Sequence, residues 1–287
     1  MYFKQKYRRF IWAVSVGVAA AIFSLIIIQG LYRPQSPYII PLNMTVNYAI
    51  VLCILVAIIP PAIVEYNNDR WLKQVDKNIP LFLMDVTESI RSGIPMLRAL
   101  ELASKRDYGP ISKNLETAVV NFNLTSDLDG SLNWFGNSLI RPNGKRVSTI
   151  LLEAYKSGGR MLDVLETSIN MFTSIDEYRV EKESNVAPYV ILVYVSSLIF
   201  LFIGWTIIAQ FLTPLTTQKA ISSTTNINIK ALDISYYKSI IFWAAIVEGL
   251  LGGLVAGKIT SSKIFSGLIH SVLLIVITIV FYSLFLS

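Results

Sequence analysis

The chain of 287 residues holds one histidine and one cysteine. That scarcity excludes a zinc site built from Cys and His ligands, and it excludes a Cys–His catalytic dyad. Cys53 has no second cysteine to pair with, so no disulfide forms within the chain and the redox compartment stays open. Charge is scarce too, at 15% Asp, Glu, Lys and Arg, where soluble domains carry about 25%. No stripe of basic residues interleaved with aromatics runs through the sequence, so no nucleic-acid partner is expected. Neither a catalytic constellation nor a cofactor or metal motif is present, and the chain reads as a non-enzyme.

Apolar residues, by contrast, make up 53% of the chain, with a mean hydropathy of +0.55. They gather in five runs: about Phe10–Gln29, Met44–Val64, Ala187–Leu212, Tyr236–Gly257 and Ile264–Leu286. Each is close to the roughly 20 residues a helix needs to cross about 30 Å of hydrocarbon. The first run is too long for the core of a typical signal peptide, and no small-residue cleavage pattern follows it. The expected fold is therefore all-α and polytopic. Residues 1–64 hold the N-terminal tail and two spans, 65–186 form a polar middle domain, and 187–287 hold three spans with a loop at 213–235.

The net charge of +6 fits an excess of Lys and Arg in cytoplasmic segments. With the N-terminus inside, every basic residue except Arg33, Lys219, Lys230 and Lys238 falls on the cytoplasmic side. The short tail (Lys4, Lys6, Arg8, Arg9) and the short loop (Lys258, Lys263) agree with each other. The C-terminus is then external. Asn43-Met44-Thr45, a glycosylation triplet on the expected outer side, is of a kind common by chance.

The middle segment has helical periodicity: Leu83, Val86 and Ile90 recur on one face, and Leu97 and Leu100 on another. Pro80, Gly93, Pro95, Gly109-Pro110, Asp129-Gly130, Pro142-Asn143-Gly144 and Gly158-Gly159 are expected to break it. The stretch Glu88–Glu101 aligns with Glu153–Glu166, half of the pairs being identical. Both carry a Ser-Gly stop, where glycine takes a left-handed conformation and a second helix starts at once. Two repeated αα-hairpins, turning at Gly93/Pro95 and Gly158/Gly159, are expected to pack as a cytoplasmic bundle of about six helices.

Pro80-Leu81-Phe82-Leu83-Met84-Asp85, Ser92-Gly93-Ile94-Pro95, Tyr108-Gly109-Pro110-Ile111-Ser112 and Glu153-Ala154-Tyr155-Lys156-Ser157-Gly158-Gly159 resemble the F-domain family of type II secretion and type IV pilus systems. Gly252–Lys258 followed by Gly267-Leu268-Ile269-His270 resembles its archaeal branch, including archaellar and tight-adherence pilus platforms. The resemblance covers roughly residues 75–280. It implies a platform in the cell membrane, beneath a growing filament. The platform binds a cytoplasmic hexameric secretion ATPase and couples it to extraction of pilin-like subunits from the lipid. A single F-domain copy, where many bacterial relatives carry two, implies a homodimer or a pairing with a sibling platform protein. Two rivals stand beside it: a transporter or channel subunit, and a membrane-tethered adaptor.

Four groups of candidate residues follow. Gly252–Ile259 nearly spells a phosphate-binding loop, but Ile259 stands where a Mg²⁺-binding hydroxyl is needed and the stretch ends a span. Its small residues Ala245, Gly249, Gly253 and Gly257 instead mark a close helix contact, either within the chain or as a cradle for a pilin helix or a dimer seam. Glu248 and His270 are ionisable groups inside spans, expected at overlapping depth and able to share a hydrogen bond. Arg91, Arg98, Lys105, Arg106, Lys156 and Arg160 surround the repeated turns and, by the family resemblance, are candidates for ATPase docking; the plainer alternative is a solvated face.

Overall fold

A computed structural model describes residues 2–32, 40–214, 233–261 and 263–286. The expected loop at 213–235 falls almost wholly outside these residues, as do Arg33, Pro34, Pro37, Lys219 and Lys230. Among the described residues the fold is all-helical, without a strand. The helices are α1 (Gln5–Ile28), α2 (Met44–Arg91), α3 (Met96–Ser104), α4 (Pro110–Thr125), α5 (Leu128–Ser138), α6 (Pro142–Ser157), α7 (Met161–Thr206), α8 (Ile234–Ser261) and α9 (Leu268–Phe285). Single 3₁₀ turns precede α7 (Gly158–Arg160) and α9 (Ile264–Gly267), and a π-helical stretch, Ile207–Leu212, ends α7. Five helices are long and apolar enough to cross a membrane, lying within Gln5–Ile28, Met44–Arg91, Pro142–Leu212, Ile234–Ser261 and Ile264–Phe285.

The chain divides into two units. One comprises Met1–Tyr2 with Asn67–Asn185, the other Phe3–Tyr66 with Val186–Ser287.

In the first unit, six helical segments enclose one apolar core. Val75, Ile79, Phe82, Leu83 and Val86 of α2 are fully buried, and they meet Ala99 of α3, Ile111 and Leu115 of α4, Phe135 of α5 and Leu139 just after it, Val147 and Leu151 of α6, and Leu165 of α7. Phe82 is the hub, with its ring edge-on to Tyr108 at 5.7 Å and to Phe135 at 6.0 Å. Helices α5 and α6 touch through glycine. A methyl group on Gly136 would fall 2.6 Å from Ser148 Cβ and 3.0 Å from the Gly144 carbonyl. The Ser148 hydroxyl donates to the Leu132 carbonyl at 2.5 Å across the same contact.

Two of the expected breaks do not occur. Helix α2 runs through Pro80, as it does through Pro60-Pro61, and α5 runs through Asp129-Gly130. An interior proline costs a helix about 3 kcal/mol. Buried side chains flank Pro80 on both sides, each contributing about 1.5–3 kcal/mol, so packing outweighs that cost. The chain breaks just before Asp129-Gly130 instead: Asp127 caps α5, its carboxylate accepting from the Gly130 N–H at 2.9 Å.

In the second unit, α8 and α9 pack along their whole length. Near one end of α8, Asn47 of α2 is fully buried and fully satisfied. Its amide donates to the Pro41 carbonyl at 3.0 Å and to Ser239 Oγ at 3.1 Å, and it accepts from Trp243 Nε1 at 3.0 Å. Lys238 reaches the Leu286 carbonyl at 3.0 Å, where α9 ends.

Candidate functional site

The turn at Gly93 and the turn at Gly158 lie at one end of the first unit, where Arg91 of α2 reaches Glu166 of α7. At the first, Gly93 adopts φ +89°, its N–H donating to the Ile90 carbonyl at 2.9 Å, and Pro95 starts α3. At the second, Gly158 adopts φ +55° and opens the single 3₁₀ turn, with Gly159, that leads into α7. Arg91 joins them: its guanidinium donates to Glu88 on its own helix at 2.5 Å and to Glu166 on α7 at 2.6 Å. Its pKa is raised by the hydrogen bond to Glu166 and the charges of both carboxylates. Lys156 lies 3.6 Å from Asp129.

The other candidates are distributed differently. Arg98 pairs with Glu101 one turn along α3. Lys105 and Arg106 follow the far end of α3, away from the Gly93 turn. Arg106 pairs with Asp85 at 2.7 Å, and Tyr108 donates to the same carboxylate at 2.5 Å. Burial would raise the Asp85 carboxyl, but the hydrogen bonds from Tyr108 and Arg106, with the Arg106 charge, outweigh it and hold it below its ordinary value. Burial and Asp85 together push the Tyr108 hydroxyl well up. Arg91, Lys156 and Arg160 thus stand at the turn end, while Lys105 and Arg106 belong to the opposite end of the α2–α3 hairpin.

Within the spans, the small-residue stripe is already occupied. Ala245, Gly249, Gly253 and Gly257 are buried against α9 and the turn before it. A methyl group on Gly257 would lie 2.0 Å from the Gly267 nitrogen, and one on Gly249 would lie 3.2 Å from Leu274 Cβ. In this chain α9 and the turn before it pack on that face. The stretch resembling a phosphate-binding loop is helical throughout, so its N–H groups are spent on the helix.

Glu248 and His270 do not bond to each other. Both find partners on α7 instead: Ser197 donates to Glu248 Oε2 at 2.8 Å, and the Tyr194 hydroxyl meets His270 Nδ1 at 2.8 Å. Tyr194 and Ser197 are three residues apart and share one face of α7. Tyr194 and Ser197 lie at helical spacing in the run Ala187–Leu212, but Ser196, Thr206 and Gln210 share that run and hide the signal. Helix α7 thereby ties α8 and α9 through polar contacts that hydrocarbon cannot replace.

The architecture is that of a multi-pass, all-helical membrane protein. Residues 82–209 match the family described as type II secretion system (T2SS), protein F, so the chain carries a protein F domain. That region starts in the core-facing part of α2 and ends inside the π-helical stretch; the Gly252–Lys258 stretch lies beyond it. Over 229 residues, 78% of its length, the chain is 27% identical to an uncharacterized protein of Methanocaldococcus jannaschii. It spans about a third of that relative, 36% of whose length is matched. No solved structure matches.

Proposed function

We propose that the chain is the membrane platform of a type IV filament or type II-like secretion machine. It has no catalytic activity of its own. A cytoplasmic hexameric ATPase docks on the domain at 65–186, and the platform converts its movements into extraction of pilin-like subunits from the bilayer. The observation that carries this is the protein F domain at 82–209, which takes in both the core of the helical unit and the apolar run of α7. The chain passes between its two units within α2 and within α7, so these two helices are the covalent route by which motion in one reaches the other. The N-terminus and the 65–186 domain are cytoplasmic, the C-terminus is external, and the platform pairs with a second copy or a sibling.

Within the docking face, Arg91, Lys156 and Arg160, which lie around the Gly93 and Gly158 turns, form the principal patch; Arg98, Lys105 and Arg106 are secondary. The test is crosslinking in native membranes. With Cys53 replaced by serine, a cysteine at Arg160 should crosslink to a hexameric ATPase, and a cysteine at Arg106 should do so less. Absence of any ATPase adduct from either position would sink the reading.

A further inference from the structure

The second unit contains a cavity of about 450 Å³ lined by Gln5, Arg8, Arg9, Trp12, Glu65 and Phe265. We infer that this cavity binds the phosphodiester head group of an anionic membrane lipid. Three apolar runs end at its walls: the first begins at Phe10, just after Arg9; the second ends at Val64, just before Glu65; the last begins at Ile264, just before Phe265. That convergence puts the cavity at the depth where hydrocarbon gives way to head groups, whichever side of the membrane faces the cytoplasm.

The charges are arranged for one phosphodiester. Glu65 is buried and holds Arg8, whose Nε and Nη2 both reach the same carboxylate oxygen, Nε at 2.9 Å. A guanidinium has five N–H donors, so three remain on Arg8, held in place and free to meet a phosphate. Among the described residues no carboxylate pairs with Arg9, which is exposed. Two arginines against one carboxylate leave a single positive charge, the match for a singly charged phosphate diester. Helix α1 begins at Gln5 without a side-chain cap and without an acidic residue in its first turn, so its own positive end adds to the field. Trp12 and Phe265, edge-on at 5.8 Å, supply the amphipathic wall that aromatic side chains provide at membrane interfaces. Basic pockets between spans are a recognised form of lipid head-group site.

The inference rests only on membrane embedding and not on the platform reading. It is tested with the full chain in nanodiscs containing equal phosphatidylglycerol and phosphatidylcholine, retained lipid being read by native mass spectrometry. Phosphatidylglycerol should be retained in preference. Arg9→Gln should reduce that preference roughly fivefold, what one basic side chain near an anionic surface is worth. Lys4→Gln, the same charge change on the same tail but outside the cavity, should leave it intact. Millimolar inorganic phosphate should not displace the lipid. An unchanged Arg9→Gln variant, or an equal loss in Lys4→Gln, would reduce the effect to diffuse surface attraction and overturn the site. Displacement by phosphate would assign the cavity to the free anion and overturn the lipid.

Discussion

Gly253 of α8 and Ser271 of α9 meet backbone to backbone: a methyl group on Gly253 would fall 2.2 Å from the Ser271 nitrogen. The Ser271 hydroxyl donates to the Leu250 carbonyl at 2.8 Å across the same contact. Backbone cannot rotate aside, so any side chain at this position drives the helices apart. Gly253→Ala should destabilise the chain in detergent by about 1–3 kcal/mol, read as a lowered thermal midpoint. Gly252→Ala is the control. Its methyl group would meet Val193 Cγ1 at 3.1 Å and Leu274 Cδ1 at 3.9 Å, both side-chain atoms that can move. Equal losses from the two variants would show that the close approach is not what holds α8 against α9.

Ser197 and Glu248 should be energetically coupled, and Ser197 and His270 should not. Removing the Ser197 hydroxyl leaves a carboxylate oxygen inside the span without its donor, at a cost of about 1–3 kcal/mol. A double-mutant cycle on Ser197→Ala and Glu248→Ala, read from unfolding midpoints in detergent, should give an interaction energy of about 0.5–3 kcal/mol. The cycle of Ser197→Ala with His270→Ala should give an energy near zero, because His270 pairs with Tyr194 and not with Ser197. Strong coupling in the second cycle would point to one shared network in place of two separate pairs.

The spans and the faces of the soluble helices are legible in the sequence because each is a local property. An apolar run long enough to cross hydrocarbon reads the same in any fold. Leu83, Val86 and Ile90 mark a buried face whatever covers it. Which neighbour a face meets is not local. Glu248 and His270 stand out as ionisable groups in spans, yet their partners Ser197 and Tyr194 sit on a helix more than fifty positions away from Glu248 and more than seventy from His270. The stripe from Ala245 to Gly257 declares a close contact without saying that α9 supplies it. Pro80 misleads for the same reason: its local cost is legible, while the burial of Ile79 and Phe82 beside it depends on helices far along the chain. The basic residues around the repeated turns are read as one group, and only the antiparallel course of α3 separates Arg106 from Arg91.

Helices α5 and α6 should respond to a single methyl group. Gly136→Ala would place Cβ 2.6 Å from Ser148 Cβ and 3.0 Å from the Gly144 carbonyl. Overpacking of this kind costs about 1–3 kcal/mol. Hydrogen exchange on the full chain should show the amides of α5 and α6 losing protection first, while those of α8 and α9 stay protected. Uniform loss across both units would mean that this contact does not act locally.

Asp85 and Tyr108 should make the helical unit sensitive to pH at both extremes, with signs set by their shifts. The Asp85 carboxyl is held below its ordinary value of about 3.9, so between its folded and unfolded values the unfolded chain binds more protons. Its contribution is therefore complete above about pH 4 and is lost as pH falls through the folded value. Tyr108 is shifted upward, so the folded chain keeps its proton where the unfolded chain has lost it. That contribution is complete below about pH 10 and declines as pH rises above it. Asp85→Asn should flatten the acid limb of a plot of unfolding midpoint against pH, and Tyr108→Phe should flatten the alkaline limb. Because Asp85 lies beside Tyr108 and contributes to its shift, Asp85→Asn should also weaken the alkaline limb. The side chain of Asp85 is 27% exposed, so solvent screens its pairing with Arg106 and the acid effect should be modest. An acid limb unchanged in Asp85→Asn would show that the acid sensitivity does not arise at Asp85.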